Sequence, residues 1–302
     1  IYPDPESRAL RSALADYTGV DPAQLLVGHG ADELIDLVMR LVIEPGDRIV
    51  NCPPTFGMYA FDAEINGARV LTVWRNPDFS MPVGDIEVLF DTNQDSVSTP
   101  KLIFVTSPNN PDGSLLSDSD LRRLLALPAI TILDEAYIEF GGTSRIGWVE
   151  KHRNLIVLRT FSKWAGLAGL RVGYGAFPTD IMGHLWKIKQ PYNVNVAGQI
   201  AALASLQDRD RLLQVVARIV KERERLVAIL NQFDWLKPYP SHANFVLCQV
   251  TGFSAAEVKK RLAEQGILVR YYNSPRLADH IRISVGTAEQ ITRLEQGLRM
   301  IQ

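Results

Sequence analysis

The fold class is decided by one stretch of the chain, LLVGHGADELIDLVMRL at residues 25–41. It begins with an apolar run, turns at Gly28-His29-Gly30, and continues with apolar residues that recur at helical spacing from Leu34 to Leu41. A short apolar run before a glycine turn is typical of a buried strand, and the later spacing is typical of an amphipathic helix. The stretch therefore predicts a strand, a glycine turn and a helix.

The same alternation continues as far as residue 176. Further strands are predicted at 48–52, 69–73, 101–106, 130–133, 155–159 and 172–176, with helical or loop segments between most of them. Several of these runs are apolar at almost every position, as in strands that helices cover on both faces. We predict a three-layer α/β domain with a mostly parallel sheet. A leading helix is predicted to have Asp4 as its cap, Pro5 in its first turn, and an end at Gly19.

The last third of the chain has a different pattern of predicted helices and strands. A long helix is predicted at 208–233, helices at 255–265 and 288–300, and strands at 244–250, 267–271 and 280–285. This arrangement of strands and helices after the long helix favours a smaller α+β domain. We place the boundary after residue 205, which gives a large domain at 1–205 and a C-terminal domain at 206–302.

Composition limits the classes of partner. The 302 residues are 46% hydrophobic and 22% charged, with a formal net charge of -2. Such a chain has no basic field to attract nucleic acid or an anionic membrane, so a small-molecule substrate is expected. No apolar run of about 18 residues occurs, and no apolar leader opens the sequence. The five histidines lack metal-ligand spacing, so no metal is predicted.

Cysteine usage points to a reducing compartment. Cys52 and Cys248 lie far apart in predicted strands, which favours free buried thiols. We therefore expect a cytoplasmic location.

The chemically most informative stretch is TFSKWAGLAGLR at 160–171, directly after a predicted strand. A lysine that forms an imine with a cofactor must be neutral, and burial near other cations lowers a lysine pKa. The hydroxyls of Thr160 and Ser162 and the guanidinium of Arg171 are suited to hold a phosphate. The alternative is that Lys163 is a surface lysine in a glycine-rich loop.

A second stretch, TILDEAY at 131–137, places two carboxylates and a phenol after an apolar strand, where open α/β sheets bind ligands. One carboxylate could keep a pyridine nitrogen protonated, and Tyr137 could bond a ring hydroxyl. A magnesium ligand or a helix cap remains an alternative for the carboxylates.

Two turns complete the set. SPNNPDG at 107–113 forms a rigid turn able to present an amide, although it could be a turn and nothing more. GHGADE at 28–33 places backbone N–H groups at a helix N-terminus, which suits a phosphate. It is not the dinucleotide-binding fingerprint.

Asn110-Pro111, Asp134-x-x-Tyr137, Ser162-Lys163 and Arg171, in this order, resemble the fold-type I aminotransferases of classes I and II, which use pyridoxal 5'-phosphate. The resemblance covers essentially the whole chain. Within that family, the sequence is most similar to the histidinol-phosphate aminotransferases, on the stretches GADE at 30–33, CPPTFGMY at 52–59, DEAY at 134–137, GLAGLR at 166–171 and PYNVN at 191–195.

The resemblance implies a role for each cofactor residue. Lys163 would bind the cofactor covalently and carry the proton, and Asp134 would pair with the ring nitrogen. Tyr137 and Asn110 would bond the ring oxygen, and Phe56 would stack on the ring where relatives usually carry tyrosine, unless it is a core aromatic. The cofactor phosphate would be held by Ala31, Asp32, Thr160, Ser162 and Arg171.

The resemblance also implies substrate contacts. Arg282 alternates with Ile281 and Ile283, so its side chain should point away from theirs, and it would bind the substrate carboxylate beside Asn110. Arg270 would meet a substrate phosphate, and Tyr2 would reach the cofactor phosphate of a neighbouring subunit. The alternative for Arg270 and Tyr2 is that they are exposed edge residues.

Two departures from the family pattern stand out. The turn has Asp112 where threonine is usual, a change expected to be tolerated because aspartate also favours turns. The arm that precedes Tyr2 in the family is absent from this sequence, so either it was trimmed or unobserved, or the active site closes differently.

The implied activity is amino transfer between histidinol phosphate and 2-oxoglutarate, an amino donor and a 2-oxo acid acceptor, by a homodimer. Two rival enzymes are a threonine-phosphate decarboxylase and an aromatic or broad-specificity aminotransferase. A non-catalytic regulatory domain that binds pyridoxal phosphate is the alternative from another class.

Overall fold

The computed structural model describes residues 1–91 and 99–301. Its larger sheet has seven strands: β1 (Leu25–His29), β2 (Arg48–Asn51), β3 (Arg69–Thr72), β4 (Leu102–Thr106), β5 (Ile130–Asp134), β6 (Leu155–Thr160) and β7 (Val172–Ala176). Their order across the sheet is β1-β7-β6-β5-β4-β2-β3. Only β7 runs antiparallel to its neighbours, and the other pairs are parallel. The predicted mostly parallel sheet is confirmed.

Helices cover both faces of this sheet. Ile103 and Val105 of β4 pack into one core, while Leu102 and Phe104 of the same strand pack into the other. The first core includes α1 (Arg8–Thr18), α4 (Val83–Asp91), α5 (Asp118–Leu125) and α7 (Val196–Gln207). The second core includes α2 (Gly30–Val42), α3 (Met58–Ile65) and α6 (Thr179–Ile188). Because alternate residues of the central parallel strands enter opposite cores, those strands are apolar at nearly every position, and the predicted three-layer α/β arrangement is confirmed.

The C-terminal part forms a second sheet with its own core. Its elements are α8 (Arg209–Leu230), β8 (Leu236–Pro238), β9 (Phe245–Val250), α9 (Ala255–Glu264), β10 (Arg270–Tyr271), β11 (His280–Ser284) and α10 (Ala288–Arg299). The sheet is antiparallel, in the order β10-β11-β9-β8. Helix α8 joins the two parts, since Val216 packs in the large core and Leu226 in the small one. The boundary after residue 205 stays a prediction.

Two local predictions are wrong, and one strand was missed. The leading helix begins at Arg8 with Ser7 as its cap, while the Asp4 carboxylate accepts the N–H of Arg8 at 2.9 Å. The strand predicted at 267–271 is confined to two residues, because Ile267 still donates its N–H to the carbonyl of Leu262 at the end of α9. Strand β8 was not predicted. Within the described ranges, no helix is both long and apolar enough to cross a membrane.

The strand directions place the predicted site residues at one edge of the large sheet. Strands β1, β2, β4, β5 and β6 all point the same way, and their carboxyl ends lie at this edge. Strand β7 runs in the opposite direction, so it begins there, directly after Arg171. Loops that are far apart in sequence therefore meet, as ligand-binding loops of open α/β sheets do.

Candidate active site

A cavity of about 260 Å³ lies at this edge. Every predicted cofactor residue except Tyr2 contributes to its wall, so the structure brings together five stretches that the sequence places far apart. The lining residues are Ala31, Asp32, Phe56, Thr106, Asn110, Asp134, Ala136, Tyr137, Thr160, Ser162, Lys163 and Arg171.

One end of the cavity is suited to an anion. Arg171 pairs with Asp32 at 2.5 Å, and the Thr160 hydroxyl donates to Ser162 Oγ at 2.9 Å. Helix α2 begins beside them at Gly30, which has a φ of 77°, and a Cβ at this position would press against the Arg171 guanidinium. A helix N-terminus, a guanidinium and two hydroxyls are together a donor set for a phosphate dianion.

The wall of the cavity also contains a buried carboxylate. Asp134 accepts the N–H of Ala136 on Oδ1 at 2.9 Å and the hydroxyl of Tyr59 on Oδ2 at 2.6 Å. Burial raises the pKa of Asp134 above that of an ordinary aspartate, although both hydrogen bonds act in the opposite direction. A carboxylate in such a position is suited to pair with a cationic nitrogen.

Lys163 lies in the loop after β6 and lines the same cavity as Asp134. Its Nζ lies 5.5 Å from the centre of the Tyr137 ring. Burial, and next the positive charge of Arg282, lower the pKa of Lys163 below that of an ordinary lysine, which increases the neutral fraction of the amine. Burial raises the pKa of Tyr137 to about 12, so its phenol keeps its proton near neutral pH and remains a hydrogen-bond donor.

A second cavity of about 500 Å³ adjoins the first and shares Phe56 and Asn110 with it. Arg270 and Arg282 both line it. They are direct cross-strand partners on β10 and β11, and partners of an antiparallel pair project from the same face. The second cavity therefore presents two cations to any group that enters it.

Arg282 is held firmly at the junction of the cavities. Its Nη1 donates to Oδ1 of Asn110, and its guanidinium lies 4.6 Å from the centre of the Phe245 ring. Its Nε is buried and has no hydrogen-bond partner among the described residues. A buried unsatisfied donor on a cation is costly, which indicates a site prepared for an anionic ligand.

Tyr2 lies outside both cavities. Its side chain is exposed and stacks on Tyr192 with the ring centres 4.6 Å apart. The predicted contact with a neighbouring subunit involves a second chain, so that role stays a prediction. Asp112 is buried in the turn, where its carboxylate accepts the N–H of Ser114 at 2.8 Å.

The sequence predictions missed Thr106, Ala136 and Tyr59. Thr106 is the last residue of β4, so its position at a strand end was a usable signal. Tyr59 lies within the stretch at 52–59 that carries the family resemblance, but nothing in the sequence indicated its contact with Asp134.

Comparison with known proteins gives a consistent result. Residues 1–298 match the family model described as aminotransferase class I and II. Histidinol-phosphate aminotransferase 1, chloroplastic, of Arabidopsis thaliana is 54% identical over 301 residues, which cover 99% of this chain and 71% of that protein. Histidinol-phosphate aminotransferase of Roseiflexus castenholzii is 52% identical over 304 residues, with 100% of this chain and 81% of that protein covered.

A solved structure extends the comparison to the fold. Histidinol-phosphate aminotransferase from Sinorhizobium meliloti, in complex with pyridoxal-5'-phosphate, superimposes with a TM-score of 0.89 at 29% identity, covering 100% of this chain and 84% of that chain. The family model and the relatives match nearly every residue, and the loops that line the two cavities fall within the matched region. The chain therefore belongs to the class I and II aminotransferase family.

Proposed function

We propose that the protein is a pyridoxal-phosphate-dependent aminotransferase that interconverts histidinol phosphate and imidazole-acetol phosphate, with glutamate and 2-oxoglutarate as the second substrate pair. The observation that carries the proposal is the joined pair of cavities. The first holds a lysine, a buried carboxylate and an anion-binding end, and the second presents Arg270 and Arg282. The relatives that are 52–54% identical bear the name of this activity.

The residues of the first cavity fit pyridoxal phosphate. Arg171, Thr160, Ser162 and the N-terminus of α2 would hold its phosphate, and Asp134 its ring nitrogen. Tyr137 and Asn110 would bond the ring oxygen, and Phe56 would lie against the ring. When bound, the cofactor supplies an electron sink for the bond that breaks at the substrate α-carbon.

Lys163 is the residue that moves the proton. Its amine is partly desolvated, so a neutral fraction is available to accept a proton from the substrate α-carbon and return it. The same Nζ would be the covalent attachment point of the cofactor in the resting enzyme. Because the attachment and the proton transfer both use Lys163, the two half-reactions share one site.

The arginines of the second cavity account for the two kinds of substrate. Arg282 would pair with the carboxylate of glutamate, since a guanidinium matches a carboxylate in a planar bidentate arrangement. Arg270 would meet the phosphate of histidinol phosphate. Both line the second cavity together with Asn110 and Phe56, and these last two residues also line the first cavity.

The test is a coupled assay with protein saturated with pyridoxal phosphate. Histidinol phosphate and 2-oxoglutarate should give glutamate, whereas Lys163→Ala should give none. Carbon dioxide released from threonine phosphate without amino transfer would favour the decarboxylase. Faster transfer from tyrosine than from histidinol phosphate would favour an aromatic enzyme, and cofactor binding without turnover of any donor would favour a regulatory domain.

We further infer a homodimer in a reducing, cytoplasmic compartment. The exposed aromatic pair of Tyr2 and Tyr192 supports a second subunit at this surface. Cys52 and Cys248 are free and buried, and burial raises the pKa of Cys52 to about 12, so its reactive thiolate is scarce. Sedimentation at a mass of twice 33.7 kDa and fractionation of the host cell test the two inferences.

A further inference from the structure

Tyr59 is a fully buried residue that does not line the first cavity but contacts Asp134, which does. Its hydroxyl lies 2.6 Å from Asp134 Oδ2. The ring stacks on Phe104 with the centres 4.8 Å apart and meets the edge of Phe56 at 5.5 Å. Since both aromatic neighbours restrict the ring, the hydroxyl is fixed in direction as well as in distance.

The direction of the hydrogen bond follows from the number of protons. An ionised carboxylate only accepts, so Tyr59 must donate its single hydroxyl proton to Asp134. The Thr106 hydroxyl lies 2.9 Å from the Tyr59 oxygen, and it must therefore be the donor in that contact. Burial raises the pKa of Tyr59 well above that of an ordinary tyrosine, so the phenol keeps the proton that it donates.

The buried Asp134 carboxylate needs hydrogen-bond donors to remain ionised. Burial favours the neutral form of a carboxyl group, but pairing with a protonated ring nitrogen requires the ionised form. The two donors are divided between the oxygens: the N–H of Ala136 bonds Oδ1, and Tyr59 bonds Oδ2. This arrangement fixes the plane of the carboxylate and leaves lone pairs on both oxygens for a further donor.

We propose that Tyr59 is a positioning residue, whose hydroxyl holds the Asp134 carboxylate ionised and oriented toward the ring nitrogen of the cofactor. The inference rests on the proposed function only for the identity of the cofactor. It does not depend on which amino donor the enzyme uses. Thr106 adds one more hydrogen bond to this arrangement, because its hydroxyl bonds the same Tyr59 oxygen.

Tyr59→Phe removes the hydroxyl and retains the aromatic contacts. Tyr174→Phe is a matched control, because Tyr174 is also a fully buried tyrosine of the large domain and its hydroxyl has no hydrogen-bond partner among the described residues. The first readout is the Kd of the apoprotein for pyridoxal phosphate, measured by equilibrium dialysis. A lost hydrogen bond to a charged group predicts about tenfold weaker binding for Tyr59→Phe, and no change for Tyr174→Phe.

The second readout is the free energy of unfolding of the apoprotein as a function of pH. The folded-state pKa of Asp134 is already raised, so this group contributes stability below its unfolded pKa, and that stability is lost as the pH rises through the folded pKa. Removing the donor raises the folded pKa further. The stability difference between wild type and Tyr59→Phe should therefore widen as the pH rises from acid to neutral, whereas the Tyr174→Phe difference should stay constant.

The proposal is overturned if Tyr59→Phe matches Tyr174→Phe in both readouts. Should Tyr59→Phe fail to fold, Thr106→Val provides the second test, with a weaker effect expected in the same direction and no effect counting against the proposal. Failure of the proposed function is a separate result. It would appear as normal cofactor binding by the wild type without glutamate formation from histidinol phosphate.

Discussion

Arg282→Gln gives the sharpest test of the second cavity. In the structure, the Arg282 guanidinium packs on Phe245, donates to Asn110 and has a buried Nε without a partner among the described residues. Glutamine keeps a single amide donor group near Asn110 but loses the charge and the paired N–H groups. The variant should therefore weaken the reaction with a carboxylate substrate while the fold is retained.

The expected size follows from the lost interactions. A bidentate guanidinium–carboxylate pair contains two charge-assisted hydrogen bonds, each worth about 1.5–3 kcal/mol. Because glutamine retains one neutral hydrogen bond, the net loss is about 2–4 kcal/mol. At 1.4 kcal/mol for each tenfold change, kcat/KM for glutamate should fall by about 30- to 700-fold. The lost contact with Phe245 should lower the free energy of unfolding by about 1 kcal/mol.

The assay is single-turnover conversion of the cofactor-loaded enzyme by glutamate, followed by absorbance. Arg276→Gln is the matched control, because Arg276 lies over Trp74 in the same region but lines neither cavity. Its kcat/KM should stay within about threefold of the wild-type value. If a folded Arg282→Gln variant also stays within that range, the assignment of Arg282 to the substrate carboxylate is wrong.

Four further outcomes are expected. Lys163→Ala should abolish transamination but still bind pyridoxal phosphate without a covalent bond, and any turnover in the coupled assay would contradict its role. Arg171→Gln should raise the Kd for the cofactor by about 10- to 100-fold, measured by dialysis. The rate of cofactor attachment to Lys163 should rise with pH as the amine loses its proton, and Arg282→Gln should move this absorbance profile to higher pH by removing a cation that lowers the Lys163 pKa. Glu139→Gln should lower the free energy of unfolding by about 3 kcal/mol, because Arg159, buried and paired with Glu139 at 2.6 Å, would lose its nearest anion; an unchanged denaturation midpoint would refute this.

The groups that line the first cavity were predictable because of where they stand on the strands. Asp134 ends β5, Lys163 follows β6, and Asn110 follows β4. Parallel strands bring their carboxyl ends to one edge, so apolar runs followed by polar residues were enough to place these side chains together. That inference required only that the strands run in a common direction, and it did not require their order in the sheet.

The partners that orient these groups depend on strand order, which the hydrophobic pattern does not contain. Tyr59 follows β2, and β2 pairs with β4 although β3 lies between them in sequence. Because β2, β4 and β5 are neighbours in this order, the Tyr59 hydroxyl can bond both Thr106 at the end of β4 and Asp134 at the end of β5. The same limit applies to the small domain, where the pairing of Arg270 with Arg282 depends on the register of a strand of two residues. A pattern of apolar and polar residues predicts which side chains face a site, but the hydrogen bonds that set their charge and direction arise from pairings between distant segments. Variants of such supporting residues therefore test the part of the site that the sequence pattern does not predict.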